Sequence, residues 1–276
     1  MKPISELARA KVNLSLHVTG RRPDGYHMLD SLVVFAEIGD RIEVEPSSTL
    51  SLTLDGPFAL GLAADEDNLV LRTARKLRAG GTAAIHLQKN LPVASGIGGG
   101  SADAAGALRA LARHWDVPLP EADGVAALGA DVPVCMMSRT RRMRGIGDRL
   151  EAVPTLPPAW LVLVNPGVAV STPQIFKSLE SVHNPAMNLP DRFGGFGGFI
   201  DWLQAQRNDM QAAAIRQAPV IEDVLWALSS APLARMSGSG ATCFALVPDQ
   251  QAALGLADLV RESHPTWWVA AAPIRD

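Results

Sequence analysis

Residues 95–106 read Ser-Gly-Ile-Gly-Gly-Gly-Ser-Ala-Asp-Ala-Ala-Gly, with four glycines in the six positions 95–100. A chain surrenders side chains so densely for one of two reasons: its backbone must touch a ligand, or two packed elements cross there. Ahead of the stretch, "AAIHLQ" at 83–88 alternates as a strand does. Beyond it, Ala104, Ala105, Leu108, Leu111, Ala112 and Trp115 recur at helical spacing. The stretch is therefore expected to join a strand to a helix, with Ser101 at the helix N-cap. A P-loop would need a lysine after its glycines, and none follows. A dinucleotide fingerprint counted from Gly96 would need Gly or Ala where Ser101 stands. The physics behind both motifs still applies, because bare N–H groups at the positive end of a helix attract a phosphate. A tight crossing needs only one or two glycines, so the density here favours a phosphorylated ligand.

The flanking chain sets the fold class. From Ala8 to Val18 the even positions are apolar, and the odd ones are Arg9, Lys11, Asn13, Ser15 and His17. That alternation predicts a half-buried strand with one polar face. Strand patterns at 31–37, 41–46 and 50–54, broken by Gly39-Asp40 and Pro46-Ser47-Ser48, suggest an antiparallel sheet. Asp67 is placed to cap a helix carrying Leu69, Val70, Thr73, Ala74 and Leu77, which Gly80-Gly81 ends. Pro154, Pro157 and Pro158 mark a domain boundary, giving domains 1–154 and 155–276. Beyond it come a buried strand ("WLVLVNPG"), helices near 173–180, 198–217 and 219–229, a strand, the "SGSG" turn and the strand "ATCFALV". A helix at 249–263 and the strand "WWVAA" complete the pattern, and "RFGGFGGF" at 192–199 reads as a mobile loop. Strands and helices mix without regular alternation, which is an α+β pattern.

Composition narrows the function classes. The chain has 276 residues, 47% apolar and 19% charged, a globular composition. Its formal charge of −3 argues against nucleic-acid binding as its main business. No apolar run is long enough for a membrane span, and "MKPISELARAKVN" has no signal-like apolar core, so a cytoplasmic location is expected. Cys135 and Cys243 lie far apart and are expected to be buried thiols rather than a disulfide.

Several blocks together resemble a known family. "LPVASGIGGGSADAAGALRAL" is similar to the central phosphate-loop motif of the GHMP small-molecule kinases, and "SGSGATCFAL" at 237–246 to the glycine motif that buttresses that loop. "AKVNLSLHVTGRRPDGYHMLDSL" at 10–32, "EDNLV" at 66–70, "LGADVPV" at 128–134 and "NPGVAVSTPQIFK" at 165–177 resemble the branch that acts on 4-diphosphocytidyl-2-C-methyl-D-erythritol. The resemblance implies a two-domain α+β GHMP kinase fold, with mixed or antiparallel sheets, helices and an active site in the cleft between domains. Residues 1–154 would carry the ATP-binding and catalytic half and 155–276 the substrate side. The implied activity is ATP-dependent phosphorylation of the substrate's 2-hydroxyl in non-mevalonate isoprenoid precursor biosynthesis.

Site residues follow from the matching positions. Lys11 and Asn13 share one strand face; the resemblance makes Lys11 catalytic, neutralising phosphoryl charge, and Asn13 a contact to a substrate hydroxyl. Asp131, a lone acid in an apolar turn-to-strand passage, would be the general base, a division of labour that phosphoryl transfer asks for. The ATP-binding set is Asn68 and Lys89 on the adenine side, with Pro92, Val93, Ala94, Ser95, Gly96, Ile97, Gly98, Gly99, Gly100, Ser101 and Ala102 along the loop. The cytidine would stack between Tyr26 and Phe176, with His27 bonding its edge and Thr172 and Pro173 beside it. Taken alone, these residues also read as a solvated strand face, a capping Asp and a Tyr covering a turn.

ATP and Mg²⁺ are the implied cofactors, the Mg²⁺ from nucleotide chemistry and not from any ligand cluster in the chain, so no metal ligand is assigned. The implied partner is a small-molecule substrate, with no nucleic acid or membrane, on a monomer or weak homodimer. Two features depart from the family pattern: Arg141, Arg142, Arg144 and Arg149 crowd "TRRMRGIGDR" at 140–149, as a solvated hairpin or a phosphate clamp, and the Gly-Phe stretch is unusual. The rival readings are a GHMP kinase for homoserine, mevalonate or a sugar, and a non-catalytic nucleic-acid-binding module. "DGYH" and "TPQIF" argue against the first, and the acidic balance against the second.

Overall fold

The computed structural model describes residues 3–275, and none of its helices is long and apolar enough to cross a membrane. In chain order the strands are β1 (Ile4–Arg21), β2 (His27–Glu45), β3 (Leu50–Asp55), β4 (Ala83–Gln88), β5 (Arg141–Gly145), β6 (Arg149–Glu151), β7 (Trp160–Asn165), β8 (Leu233–Met236), β9 (Cys243–Val247) and β10 (Trp268–Arg275). The helices are α1 (Leu69–Leu77), α2 (Gly99–Trp115), α3 (Ala122–Ala126), α4 (Val132–Met137), α5 (Thr172–Lys177), α6 (Gly195–Gln204), α7 (Gln211–Gln217), α8 (Val220–Ala227) and α9 (Gln250–Ser263). Two compact units interleave along the chain: one takes residues up to Ala10, Ile38–Val93 and Gly98–Ser138, the other Lys11–Glu37, Ala94–Ile97 and Arg139 onward.

In the first unit β4 pairs antiparallel with the second half of β2 and parallel with β3. The parallel pair corrects the antiparallel expectation: β3, α1 and β4 form a crossover unit, which the short "LSLTL" pattern could not reveal. β2 also runs unbroken through Gly39-Asp40, where a turn was expected. A Cβ on Gly39 would lie 2.2 Å from the Ala8 carbonyl oxygen, so this glycine serves close strand approach. α2 is buried almost all round from Ala102 to Ala112, which is why it is alanine-rich and not amphipathic. Its N-cap is Gly98 in the left-handed region, and Ser101 lies inside its first turn; the glycine's freedom displaces the cap three residues from the expected serine. Asn68, not Asp67, caps α1, its Oδ1 accepting from the Val70 N–H at 3.0 Å. Asp131 leads into helix α4 and not into a strand, because Pro133 is well tolerated in a first turn.

In the second unit β10, β7, β9 and β8 pair antiparallel in that order, and β10 also meets β2 at Ala36 and Phe35. Its core gathers Leu16, Val18, Val162, Val164, Ile221 and Ala245. The polar face expected on β1 is not solvated: Lys11, Asn13, Ser15 and His17 are all buried. Segment 184–188 crosses it, with Ser15 Oγ donating to Met187 Sδ and the Asn184 N–H to the Val18 carbonyl. The 198–217 pattern splits into α6 and α7 around Asn208, whose side chain is buried and bonded. The stretch at 192–199 is not a loose loop throughout: α6 begins at Gly195, and Phe193 packs edge-on against Phe199 and Trp202 at 4.8 and 5.3 Å between ring centroids. Gly195 takes a positive φ of +74, which only glycine adopts without strain, whereas Gly194, Gly197 and Gly198 face open space and nothing in the structure explains them.

The arginine segment forms the hairpin β5–β6. Arg142 grips Asp30 through two bonds of 2.8 and 2.7 Å and donates to the Met187 carbonyl, while Arg144 pairs with Glu151. Burial works to raise Asp30, yet the Arg142 bonds and the Met187 N–H hold it below the usual carboxylate range. Cys135 and Cys243 are buried free thiols, and burial pushes the Cys243 thiol up.

Candidate active site

The glycine loop starts where the chain leaves β4, and positive φ at Ala94, Gly96 and Gly98 turns it back on itself. In the second unit its first half is locked by backbone contact with the "SGSG" turn. A Cβ on Gly96 would sit 2.4 Å from the Ser237 carbonyl oxygen, and one on Gly238 2.7 Å from that of Gly96. The Ser237 hydroxyl donates to the Gly96 carbonyl at 3.0 Å and accepts the Asn13 N–H at 3.1 Å. The Thr242 N–H reaches the Ser95 carbonyl, and the Lys11 N–H reaches that of Ile97 at 3.0 Å. Asn208 Nδ2 pins the turn from behind through the Met236 and Gly238 carbonyls, both at 2.8 Å. Ser237 and Thr242 lie in the 237–246 stretch expected to buttress the loop, whereas no signal in the sequence pointed to Asn208.

On β1, Lys11 is only 4% exposed, and its ammonium donates to Asn13 Oδ1 at 2.8 Å. Asn13 Nδ2 in turn donates to Ser31 Oγ at 2.7 Å, and Ser31 to the Ser15 carbonyl. Lys11 and Asn13 are thus presented as a fixed pair beside the loop residue Ile97. The residues expected around the cytosine also lie in this unit. His27 and Phe176 stack in parallel, with centroids 4.4 Å apart, and Tyr26 stands 62% exposed. Burial and Arg21 lower the His27 pKa, favouring the neutral imidazole. Pro173 lies in the first turn of α5, and Thr172 Oγ1 is 2.7 Å from Ser239 Oγ, tying that helix to the glycine turn.

In the first unit Gly98 and Gly99 open α2, and a Cβ on Gly100 would meet nothing within 4 Å. Asp131 is half-buried at the start of α4, and its carboxylate does not cap that helix. Pro92 and Ser95 are engaged within the protein, and Val93 is exposed. Lys89 and Asn68 are committed elsewhere than to an open surface. Lys89 is buried against Asp40 and Asp103. Asn68 uses its oxygen as the α1 cap and its Nδ2 on the Ala63 carbonyl at 2.7 Å. Asn68→Ala should therefore cost about 1 kcal/mol of stability, a fall of roughly 2–4 °C in Tm, with KM for ATP within about twofold. A large KM rise at unchanged Tm would instead show an adenine contact.

A glycine loop without a P-loop lysine, held by a second glycine turn and opening into a buried helix, is the signature of a GHMP kinase. Models described as "GHMP kinases N terminal domain" and "GHMP kinases C terminal" match residues 68–139 and 191–265. A crystal structure of 4-(cytidine 5'-diphospho)-2C-methyl-D-erythritol kinase matches with a TM-score of 0.80 at 31% identity, covering 99% of each chain. A homoserine kinase from Cytophaga hutchinsonii, at 17% identity and a TM-score of 0.66, shares the fold. Proteins named 4-diphosphocytidyl-2-C-methyl-D-erythritol kinase from Ruegeria pomeroyi and Cereibacter sphaeroides are 58% and 55% identical, covering 97% and 96% of this chain and 98% and 97% of theirs. The chain belongs to the 4-diphosphocytidyl-2-C-methyl-D-erythritol kinase family.

Proposed function

We propose that this protein transfers the γ-phosphoryl group of ATP to the 2-hydroxyl of 4-diphosphocytidyl-2-C-methyl-D-erythritol, a step of non-mevalonate isoprenoid precursor biosynthesis. The observation that carries the substrate is the 58% identity, over nearly the whole of both chains, to a relative bearing that name. The Asp131 carboxylate accepts the hydroxyl proton as the oxygen attacks the γ-phosphorus and ADP leaves. The Lys11 ammonium, oriented by Asn13, offsets charge on the transferring group, and Asn13 bonds a substrate hydroxyl. Backbone N–H groups of Ala94–Ala102 hold the phosphates, with Pro92 and Val93 at the edge of that site.

Among the described residues no group of three or more His, Cys, Asp or Glu side chains gathers as a metal cage. We assign Mg²⁺ to the nucleotide phosphates, which is how that ion is commonly bound. The described side chains do not define its ligands, and no step above passes through it. We divide the chain into a nucleotide half at 1–154 and a substrate half at 155–276 on the support of two family models that fall on either side of residue 154, with Lys11–Glu37 and Ala94–Ile97 packing into the C-terminal unit. The protein works in the cytoplasm, as a monomer or weak dimer, without nucleic acid.

For the cytosine, Tyr26 and Phe176 supply ring faces, His27 an edge bond, and Thr172 and Pro173 the wall beside them. The His27–Phe176 stack occupies one such face, so the base displaces His27 from it or adds to the pile. Tyr26→Ala and Phe176→Ala should each raise KM for the cytidyl substrate roughly 10- to 100-fold, since stacking is worth about 1–3 kcal/mol per base. KM for ATP should stay level; an equal rise in both would remove these rings from the base site.

The test of the activity is ADP release from Mg-ATP with the diphosphocytidyl substrate, mevalonate and homoserine in parallel. Turnover confined to the first confirms the reading. Turnover confined to another alcohol keeps the kinase class and overturns the substrate.

A further inference from the structure

Beneath the first turn of α2 lies an ion cluster that the chemistry above does not use. The Lys89 ammonium, 3% exposed, contacts Asp40 Oδ2 and Asp103 Oδ2, the latter at 2.7 Å. Asp40 Oδ1 also accepts the Asn90 and Leu91 N–H groups at 2.6 and 2.8 Å, which bends the chain into the glycine loop. Asp103, 4% exposed, stands one helical turn beyond Gly99 on the same face, and its Oδ1 is buried with no partner. A Cβ on Gly99 would lie 3.2 Å from Lys89 Nζ, so the ammonium lies against the turn that opens α2, with room there for a glycine.

We propose that Lys89, Asp40 and Asp103 form a buried positioning site that sets the orientation and local charge of the α2 N-terminus, and through it the affinity for the ATP phosphates. This rests on the reading that those phosphates lie at the glycine loop. Lys89 then acts from beneath the loop and not on the adenine. Two carboxylates around one ammonium carry an uncompensated negative charge unless one holds a proton. Burial pushes Asp103 up to about 8, Lys89 pulling against the rise and Asp40 adding to it, while the two carboxylates keep Lys89 charged. α1 and α4, the helices packed on α2, bury apolar side chains together with Thr73 and Cys135, leaving Lys89 and Asp40 as the charged groups acting on Asp103. Near neutral pH the cluster is balanced. Above about pH 8 it gains a negative charge under the site where phosphates bind, and binding weakens.

The experiment is kcat/KM for ATP from about pH 6.5 to 9.5, at saturating diphosphocytidyl substrate, in the wild type, Asp103→Asn and Asp40→Asn. At saturating co-substrate this ratio reports groups of the enzyme–diphosphocytidyl complex that ATP meets. The wild type should lose roughly five- to tenfold above pH 8 by added charge repulsion. Asp103→Asn cannot ionise, and Asp40→Asn leaves Asp103 as a simple partner of Lys89, so both should lack that loss. Tm gives a second readout. A raised folded pKa lends stability at acid pH that is lost as pH climbs through about 8, so the wild type should lose Tm relative to Asp103→Asn from about pH 5 to about pH 8. If neither variant folds, titration calorimetry of Mg-ADP into wild type near pH 8.5, in two buffers of different ionisation enthalpy, should show proton uptake. Parallel pH profiles, or no proton uptake, overturn the positioning site. Failure of the wild type to bind ADP or turn over ATP would instead overturn the nucleotide reading of the loop.

Discussion

Asp131→Asn should lower kcat about 10³-fold while KM for both substrates stays within about threefold, the loss expected when a general base is removed. The substitution is nearly isosteric, and the geometry around it predicts a clean result. Asp131 opens α4, whose position is set by buried Val132, Pro133 and Val134 and by the Cys135 N–H bonding the Asp131 carbonyl, none of which needs the carboxylate. Because Asn nearly matches Asp in volume, Tm should fall by no more than about 4 °C. An amide can still bond the substrate hydroxyl but cannot take its proton. Steady-state kinetics beside a thermal melt separates the outcomes. A kcat within tenfold of wild type would mean that another group accepts the proton, and a collapse of Tm would mean that the carboxylate holds α4 in place.

The second large effect is expected at Gly96. Its φ of +77 is in the left-handed region, and an added Cβ would meet the Ser237 carbonyl oxygen at 2.4 Å and the Gly240 nitrogen at 2.8 Å. Both atoms are backbone, so neither can swing aside as a side chain would. Gly96→Ala should then cost about 2–4 kcal/mol, combining left-handed strain with overpacking. Ser237 would lose its bond to the Gly96 carbonyl, and kcat/KM for ATP should fall at least about a hundredfold, since small displacements of a positioning loop are costly. Gly100→Ala is the control. It lies within α2 with open space around its Cβ position, so Tm should hold or rise slightly, as Ala favours helix. A rise in KM for ATP at Gly100 without loss of Tm would show that this face meets the nucleotide. Equal tolerance at both positions would mean that the loop does not depend on the backbone contact at Gly96.

Much of the fold was legible because periodicity is local. β4 at Ala83–Gln88 and α9 at Gln250–Ser263 lie where a strand at 83–88 and a helix at 249–263 were expected, and the glycine stretch does join a strand to a helix. The misreadings share a cause. Lys11, Asn13, Ser15 and His17 alternate like a solvated face, yet Ser31 and the 184–188 segment cover them from far along the chain. Ser101 is a good cap by composition, but Gly98 reaches the left-handed region without strain and starts the helix first. Phe199 gains burial inside α6, with Phe193 packed edge-on against it from just before the helix, which outweighed the flexibility that their glycine neighbours suggested.

By itself, then, the sequence determined what short-range physics can encode: the alternating strand carrying Lys11 and Asn13, the bare backbone at 96–100 and the helix behind it. Only the tertiary structure decided what each of those groups meets. Ser237 comes 141 positions after the Gly96 carbonyl it holds, and Asp40 lies 49 positions from the lysine it pairs. Backbone contact and charge burial depend on such distant partners. A glycine or a lysine looks the same in sequence whether it faces a ligand, a second loop or a buried carboxylate.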